Sequence, residues 1–515
     1  MSDEFRDRNI GISTDWERND HHEAMRETWL KDALTEKHAI PVLKLVMMHY
    51  KGGNQKPVKM HRGMYGSYNA NWRVEFEEGS AILHIPMPGR SAFFDEKIRA
   101  EVATMKMIEA RTTIPVPHIY HWGYAADNPT GLGPFIIMDY IEHERNLADL
   151  VLPANNPSWN INLHGMDPNA SEETLLKVYR QMANIWLQLS TLEMPCIGSP
   201  SFDETSQSFK VHGRPVTENL TGMLMDGGNP RCALPAETKI FATSKEYYSA
   251  LADMHLAELA FQYNGGIDSY DDCRDKYVAR QLFRRLCKDA AFLDSDEEEE
   301  PFKLWCDDMR PSSVLLNEHN DVVGVIDWEF AYFAPASFTY DPPWWTILGK
   351  FEVWEKGLDD YSAKFDQHVP LLLKAMEMEE ERMEKEAKEE PPEVGASVLS
   401  FYLGELELND AKPRVLPKLS EKMKKHWETG RHYLNYAARN SWAFDPIFWK
   451  YIDQRFFGQN VRGGFEDRLQ LFSESQRKRM EDFVERKIAQ LLDAKLKIWD
   501  EQECKEYLED LLKDR

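Results

Sequence analysis

The stretch that decides the fold is residues 304–329, with the sequence LWCDDMRPSSVLLNEHNDVVGVIDWE. It contains two short apolar runs, 314–316 and 322–326, and the residues between these runs are rich in turn formers. This pattern predicts a β-hairpin. A chain enters and leaves a hairpin at the same end, so Asp308 and Asp327, which flank it, should converge there. The stretch therefore predicts that two acidic groups, distant in sequence, share one edge.

These two carboxylates suit metal-assisted phosphoryl transfer. That chemistry requires one carboxylate beside the attacking hydroxyl group and others on Mg²⁺, which bridges the nucleotide phosphates. Asp308 is the candidate for the first role and Asp327 for the second. Taken singly, each aspartate is also typical of an ordinary turn. Together they favour a site, because an acidic cluster beside buried apolar strands costs free energy unless a cation offsets it.

A small glycine-containing loop lies upstream, at residues 63–69 (GMYGSYN), and two predicted strands follow it at 72–76 and 81–85. Protein kinases cover the triphosphate with a strand, a glycine loop and a second strand, whereas a Walker loop leads from a strand into a helix. Plain hairpins also contain glycines. The loop by itself therefore leaves a nucleotide site and an ordinary hairpin both open.

Residues 97–109 predict an amphipathic helix with a glutamate on its inward face. The apolar positions repeat at helical spacing, at Ile98, Val102, Met105 and Ile108. Glu101 falls inside this stripe and needs a partner, which in a kinase-like fold is a strand lysine. The corresponding strand position here is His84, and a paired Glu101 would keep its imidazole protonated. Alternatively, His84 only packs in the strand and Glu101 reaches solvent.

Further motifs continue in the same order along the chain. They are RAEVATM at 99–105, IPVP at 114–117, IMDYI at 137–141, IGS at 197–199, DDMRP at 307–311, IDWEF at 326–330 and APASFTYDPPWW at 334–345. Their combination resembles the aminoglycoside phosphotransferase family of kinase-like enzymes, and most closely its large fungal branch of uncharacterised phosphotransferases. The resemblance covers most of the chain, from about residue 50 to the end of the catalytic lobe.

The resemblance implies an α+β, two-lobed protein-kinase-like fold, with a small β-rich N-lobe and a larger, mainly helical C-lobe. We expect an N-terminal extension at 1–50 and a nucleotide-binding small lobe at 51–141. A helical large lobe, with the catalytic loop and C-terminal helical additions, should occupy 142–515. The implied cofactors are ATP and Mg²⁺, and the implied acceptor is a hydroxyl group of a small molecule.

The resemblance also assigns roles to individual residues. Asp308 matches the catalytic aspartate, Asp327 the metal-binding aspartate and Glu101 the helix glutamate of the ion pair with the strand cation, here His84. Backbone and side-chain groups around the nucleotide are expected at two places. The loop supplies Gly66, Ser67 and Asn69 over the phosphates, and the segment that joins the lobes supplies Met138, Asp139 and Tyr140 at the adenine.

The chain departs from the family pattern within the catalytic loop. Cys306 and Asp307 stand where the family has His and Gly, and Ser313 replaces the metal-binding Asn. A serine hydroxyl can still ligate Mg²⁺, because hard cations accept any oxygen. Glu329 could add another oxygen if the backbone is extended after Asp327, because alternate side chains then share a face.

These departures leave three functions open. The leading one is an ATP- and Mg²⁺-dependent phosphotransferase that transfers the γ-phosphate to a small-molecule hydroxyl. A pseudokinase-like nucleotide-binding protein with little or no phosphotransfer activity is the alternative. A third possibility is the transfer of a nucleotidyl group. The sequence names neither the acceptor nor the oligomeric state.

The charge and composition of the chain limit the classes of partner and the cellular location that we expect. The chain has 515 residues and a formal net charge of −25, which argues against a nucleic-acid partner because a phosphate backbone requires a cationic surface. No apolar stretch approaches the length needed to cross a bilayer, and the charged N-terminus lacks the apolar run of a secretory signal. The six cysteines are scattered, as is typical of reduced thiols. We expect a cytoplasmic protein with no membrane partner.

Overall fold

The structure, a computed structural model, describes residues 14–153, 165–289, 292–293, 301–389 and 418–513. The helices are α1 Trp16–Ala33, α2 Glu36–His49, α3 Phe94–Arg111, α4 Glu172–Leu189, α5 Glu218–Met225, α6 Ser244–Phe261, α7 Tyr270–Asp289, α8 Gly357–Glu389, α9 Leu419–Glu428, α10 Arg431–Arg439, α11 Phe444–Ile447, α12 Asp453–Phe457, α13 Glu474–Asp493 and α14 Glu501–Leu512. The strands are β1 Pro57–Met60, β2 Met64–Tyr65, β3 Asn69–Phe76, β4 Gly79–Pro86, β5 Ile119–Gly123, β6 Phe135–Asp139, β7 Arg145–Asn146, β8 Glu193–Met194, β9 Pro200–Asp203, β10 Ser208–Val211, β11 Phe302–Cys306, β12 Val314–Leu316, β13 Val322–Val325 and β14 Ala331–Ala334.

A six-stranded antiparallel sheet forms the small lobe. Its strand order is β1-β3-β4-β6-β5, and β2 pairs with β3 at the edge. The β3–β4 hairpin agrees with the predicted strands at 72–76 and 81–85. Helix α3 is inserted between β4 and β5, and its apolar stripe is buried as its spacing predicted. The sheet and this helix hold the upstream candidate residues.

Two N-terminal helices complete the small lobe. Leu30 of α1 and Val42 and Leu45 of α2 share one buried core with Trp72 and Val74 of the sheet. The described part of the predicted extension therefore packs on the small lobe, because its apolar side chains cover one face of the sheet. Residues 1–13 of that extension lie outside the described residues.

The large lobe is mainly helical and contains two three-stranded sheets and a two-stranded sheet formed by β9 and β10. Strand orders are β14-β11-β8 in one three-stranded sheet and β13-β12-β7 in the other. The predicted hairpin is present as β12 and β13, where Val314 pairs with Val325. Ser171 caps the N-terminus of helix α4, since its side chain accepts a hydrogen bond from the Thr174 amide. Helix α4 packs along α8. The predicted α+β fold with a small β-rich lobe and a larger helical lobe is thus confirmed. No helix in the described ranges is both long and apolar enough to cross a membrane.

Candidate active site

The loop after β11 and the segment after β13 lie side by side. At one end the Asp307 amide donates a hydrogen bond to the Phe330 carbonyl at 3.2 Å, and at the other the Ile326 amide donates to the Ser313 carbonyl at 2.9 Å. Strand pairing continues this contact beyond both ends, between β11 and β14 and between β12 and β13. The hairpin therefore brings the two acidic segments together at its open end, as its pattern predicted.

Asp308 lies on the first segment and Asp327 on the second. Burial raises the pKa of the Asp308 carboxyl to about 6, and Arg310, whose Nη2 lies 3.3 Å from Asp308 Oδ2, opposes this rise. Burial also raises the pKa of Asp327 well above its ordinary value, and the negative charges of Glu329 and Asp308 add to the rise. The two aspartates thus lie within electrostatic reach of each other.

The backbone at Asp327 is strained. Its φ is +70°, in the left-handed region that residues other than glycine rarely adopt. Such strain persists only where the surrounding structure enforces it, and it is concentrated at functional sites. Here the backbone is held on both sides of the aspartate. The Ile326 amide before it donates a hydrogen bond to the Ser313 carbonyl, and the side chains of Trp328 and Glu329 after it are buried.

A buried cluster of three side chains ties the small lobe to this segment. Lys97 Nζ lies 2.5 Å from Glu329 Oε2 and donates to Asn69 Oδ1 at 2.9 Å. Asn69 in turn donates to Glu329 Oε1 at 3.2 Å. Asn69 begins β3, Lys97 lies in the first turn of α3, and Glu329 lies two residues beyond Asp327. The side-chain amide of Asn69 and the carboxylate of Glu329 thus contact Lys97 and each other. From the sequence, Asn69 was expected to contact the nucleotide phosphates and Glu329 to bind the metal.

The expected charge on His84 is wrong. His84 Nε2 lies 3.6 Å from Glu101 Oε1, so the two side chains meet as the kinase-like pairing requires. Burial, with a smaller contribution from the charge of Lys97, nevertheless lowers the pKa of His84 to about 3. Burial raises the pKa of Glu101 to about 7. The alternative in which Glu101 reaches solvent is also wrong, because this side chain is only 3% exposed.

His84 is instead fixed as a neutral ring. Its Nδ1 lies 2.9 Å from the side-chain oxygen of Asn71 on the paired strand, which places a proton on Nδ1 and leaves Nε2 as an acceptor. Nε2 is buried and has no hydrogen-bond partner among the described residues. Lys97, whose charge lowers the pKa of both His84 and Glu101, is therefore the cation beside this pair, and the strand residue is not.

The glycine loop is a tight turn. Its ends pair as Met64 with Asn71 and Tyr65 with Ala70, and the Gly66 amide donates to the Asn69 carbonyl at 2.9 Å. Gly66 and Ser67 are exposed at its tip.

The segment that joins the lobes, residues 138–140, is partly buried. The Asp139 amide donates to the His118 carbonyl and the Tyr140 amide to the Ser80 carbonyl, and the Tyr140 ring lies under the Arg73 guanidinium. Both of these amides are thus engaged within the protein.

Two further cations near Asp308 were not identified from the sequence. Arg310 stands two residues after it, within the quoted motif, and could have been noticed there. Lys350 contacts both carboxylate oxygens of Glu218, at 2.9 and 3.0 Å, and both Glu218 and Lys350 act on the pKa of Asp308. Lys350 carries no local signal, because only the tertiary fold brings residues 218, 308 and 350 together.

Asp307 has a structural environment distinct from that of Asp308. Its Oδ1 accepts hydrogen bonds from Trp305 Nε1 at 2.7 Å and from the Tyr332 hydroxyl at 3.2 Å. Its Oδ2 accepts from the Glu218 amide at the start of α5. Asp307 therefore anchors α5 to the loop, and it holds Glu218 near Asp308.

The donor set is compatible with a magnesium nucleotide. Mg²⁺ is commonly held by one or two carboxylates together with water and substrate phosphates. Asp327, a half-buried residue, offers a carboxylate, and the buried Ser313 lies next to its segment. The described residues contain no group of three or more His, Cys, Asp or Glu side chains that could hold a metal ion.

Comparisons with known proteins give distant likenesses. No model of a known protein family matches this chain. It is 26% identical over 162 residues to Altered inheritance of mitochondria protein 9, mitochondrial, from Candida glabrata, which is 31% of this chain and 24% of that protein. The protein of the same name from Zygosaccharomyces rouxii is 26% identical over 137 residues, 26% of this chain and 20% of that protein. The match therefore spans about a quarter of the length of these relatives.

Solved structures give a broader but weaker match. Aminoglycoside phosphotransferase APH(4)-Ia has a TM-score of 0.37 and 11% identity, and covers 80% of this chain and 99% of its own. Spectinomycin phosphotransferase APH(9)-Ia, solved with ADP and spectinomycin, has a TM-score of 0.33 and 10% identity. This match covers 87% of the present chain and 97% of the spectinomycin phosphotransferase chain. The solved structures to which the chain is similar thus include the family that its motifs indicated.

Proposed function

We propose that this protein is an ATP- and Mg²⁺-dependent phosphotransferase that transfers the γ-phosphate to a hydroxyl group of a small molecule. The observation that carries the proposal is the meeting of Asp308 and Asp327 on two paired segments. Phosphoryl transfer depends mainly on positioning and on charge stabilisation, and these segments supply carboxylates in a fixed backbone frame. We also assign the chain, as a proposal, to the fungal branch of the kinase-like phosphotransferases.

In this function Asp308 accepts the proton of the acceptor hydroxyl. Arg310 is a positioning residue, since its Nη2 lies 3.3 Å from Asp308 Oδ2 and orients the carboxylate. Asp327 and Ser313 would hold Mg²⁺, which neutralises charge on the nucleotide phosphates. Gly66 and Ser67, at the exposed tip of the loop, would lie over those phosphates.

Glu329 and Asn69 take a different part from the one expected of them. Both contact Lys97, so we assign them to holding this cation at the start of α3. Lys97 then supplies the positive charge that a strand lysine supplies in protein kinases. His84 and Glu101 stay in contact beside it, and both are mainly neutral between about pH 3 and pH 7, the pKa values of the two groups.

The purified protein tests the proposal directly. Incubation with Mg-ATP and a panel of small-molecule alcohols should release ADP and add the mass of one phosphate to an acceptor. Addition of a nucleotidyl mass would contradict phosphate transfer and support the third function named above. The absence of any stabilisation by Mg-ATP in a thermal shift assay would contradict the proposed nucleotide site.

The pseudokinase-like alternative is favoured by one specific contact. The carboxylate of Glu329 is engaged by Lys97 and Asn69, and Ser313 stands where the family has a metal-binding Asn. The two functions differ in a simple measurement. Stabilisation by Mg-ATP without ADP release across the whole panel would support the alternative.

The partners and the location of the protein remain predictions. We expect no nucleic-acid partner and a cytoplasmic location, whereas the two relatives are named as mitochondrial proteins. Cell fractionation with antibodies against the full protein would distinguish the two compartments.

A further inference from the structure

Helix α3 carries Lys97 and Glu101, yet its buried apolar side chains belong to the core of the large lobe. Ile98, Val102 and Met105 lie in one contiguous cluster with the apolar side chains of that lobe. Most buried apolar side chains of the six-stranded sheet form a different core, which they share with α1 and α2. By its packing, α3 is therefore part of the large lobe, although in sequence it lies between two strands of the sheet.

An ion pair with two hydrogen bonds fixes the first turn of α3 to the large lobe. Arg214, in the loop between β10 and α5, donates from Nε to Glu96 Oε2 at 3.0 Å and from Nη2 to Glu96 Oε1 at 2.8 Å. Both side chains are buried, with exposed fractions of 7% and 9%. A two-bond contact between arginine and a carboxylate fixes orientation as well as distance. Glu96 directly precedes Lys97, so this contact holds the backbone next to that cation.

The residue at the N-terminus of α3 contacts two guanidinium groups of the large lobe. Phe93 has a φ of +53°, in the left-handed region that residues other than glycine rarely adopt. The guanidinium groups of Arg214 and Arg231 lie 4.2 and 4.8 Å from the centroid of its ring, where an aromatic face attracts a cation. A strained conformation persists only where the surrounding contacts enforce it. Arg214 thus contacts both the ring and the carboxylate that begin this helix.

Contacts with the large lobe continue along α3, but they are weaker. Lys106 forms an ion pair with Glu204, whose side chain is 58% exposed, and the Arg111 guanidinium lies 5.1 Å from the ring centroid of Phe209 on β10. Exposed ion pairs contribute little to stability. The position of the first turn of α3 therefore depends mainly on the buried contact between Glu96 and Arg214.

We propose that Arg214 and Glu96 are positioning residues, which hold Lys97 at Glu329 both with and without bound nucleotide. The inference rests on the proposed function, in which Lys97 supplies the positive charge of a strand lysine. In protein kinases the corresponding helix has to be in place before its glutamate and the strand lysine can act. Here the large lobe itself holds the helix. A movement of the sheet would then alter the contacts of Asn69 and leave the pair of Lys97 and Glu329 intact.

Hydrogen exchange of the nucleotide-free protein tests this anchor without any need for catalysis. In Arg214→Gln the amides of α3, residues 94–111, should exchange about tenfold faster or more, because two hydrogen bonds between charged groups are lost. Glu96 would then be buried without its partner, which destabilises the whole chain. Glu96→Gln combined with Arg214→Gln removes both charges. This double variant should show the same acceleration with a smaller loss of global stability, as measured by denaturant unfolding.

Arg274→Gln is the matched control. Arg274 makes a two-bond contact of the same kind with Glu481, at 3.0 and 2.7 Å, and this contact joins α7 to α13. Its loss should leave the exchange of the α3 amides unchanged. Equal exchange of these amides in the double variant and in the control would overturn the proposal.

Chemical modification of Lys97 reports its position directly. Its side chain is 2% exposed, so acetic anhydride should modify it slowly in the unaltered protein. The double variant should be modified about tenfold faster or more, because the first turn of α3 opens more often. Mass spectrometry of the peptide that contains Lys97 measures this rate. An unchanged rate in the double variant would also overturn the proposal.

Nucleotide affinity connects the anchor to the proposed function. The dissociation constant of Mg-ATP should rise about tenfold in the double variant and stay unchanged in Arg274→Gln, because only the former displaces Lys97. Unchanged affinity in a double variant with faster Lys97 modification would refute the role of the anchor in nucleotide binding. If the unaltered protein binds no Mg-ATP, the proposed function fails, and the exchange and modification rates still decide whether Arg214 and Glu96 hold Lys97.

Discussion

Lys97 Nζ and Glu329 Oε2 lie 2.5 Å apart, and each of the two side chains is only 2% exposed. The pair joins the first turn of α3 to the segment that carries Asp327. Since Asn69 contacts both partners, the start of the glycine-loop strand is tied to the same point. This buried cation therefore links the small lobe to the segment that carries Asp327.

Removal of that cation should be costly. In Lys97→Met the Glu329 carboxylate stays buried without its partner, and we expect the free energy of unfolding to fall by about 3–5 kcal/mol. Lys97→Met combined with Glu329→Gln should recover part of the loss, because no buried charge is then unpaired. Denaturant unfolding measures both variants.

An exposed ion pair provides the control for this experiment. Lys374 and Glu172 lie 3.7 Å apart on the surface, with side chains 55% and 74% exposed. Lys374→Met should change the free energy of unfolding by less than about 1 kcal/mol. A loss in Lys97→Met no larger than in this control would show that the buried pair is unimportant.

Replacement of each of the two aspartates should affect a different step, turnover in one variant and Mg-ATP binding in the other. Asp308→Asn should abolish turnover and leave the affinity for Mg-ATP nearly unchanged, because the amide cannot accept the hydroxyl proton. Asp327→Ala should weaken Mg-ATP binding, because a metal ligand is lost. Fluorescence titration with a nucleotide analogue and ADP release measure the two effects. Undiminished turnover in Asp308→Asn would refute its assignment as the base.

The docking of α1 onto the small lobe depends on a glycine. Gly89 has a φ of +80°, and a Cβ atom there would lie 2.2 Å from the His22 carbonyl oxygen. Gly89→Ala should therefore displace α1 and lower the free energy of unfolding by about 1–3 kcal/mol beyond the cost of backbone strain.

Gly131 provides a control in which the backbone strain occurs without a steric clash. Its φ is +71°, and nothing lies within 4 Å of a Cβ atom added there. Gly131→Ala should cost about 1–2 kcal/mol from the left-handed conformation alone. Thermal unfolding of both variants gives the difference, and equal losses would mean that the contact with His22 is not restrictive.

A buried carboxyl group should give part of the stability a specific pH dependence. Burial raises the pKa of Asp275 to about 7, and Asp275 Oδ1 accepts a hydrogen bond from the Phe465 amide. Between about pH 4 and pH 7 the folded state holds a proton that the unfolded state has released. This contribution to the free energy of unfolding is therefore complete below pH 4 and is lost as the pH rises toward 7.

Asp275→Asn removes this dependence. Relative to the unaltered protein, the variant should gain about 1 kcal/mol per pH unit between pH 5 and 7, as measured by denaturant unfolding at each pH. Glu318→Gln, at a side chain 79% exposed, should show no such trend. A constant difference between Asp275→Asn and the unaltered protein would contradict the raised pKa.

Much of the fold could be predicted because its signals are local. The turn formers between 314–316 and 322–326 specify the hairpin, and the inward stripe of α3 follows from helical spacing. The charge state of His84 could not be predicted in this way. It depends on burial and on Lys97, and burial depends on the whole packed structure.

The sequence by itself determined that Asp308 and Asp327 meet, because strand pairing in a hairpin brings its two flanks to one end. Only the tertiary structure decided that Lys97, and not a protonated His84, is the cation beside Glu101 and Glu329. Pairing within a hairpin is a short-range property of neighbouring residues. The partner of a buried charge is chosen by whichever group the fold brings to it, and Lys97 and Glu329 are more than 200 positions apart.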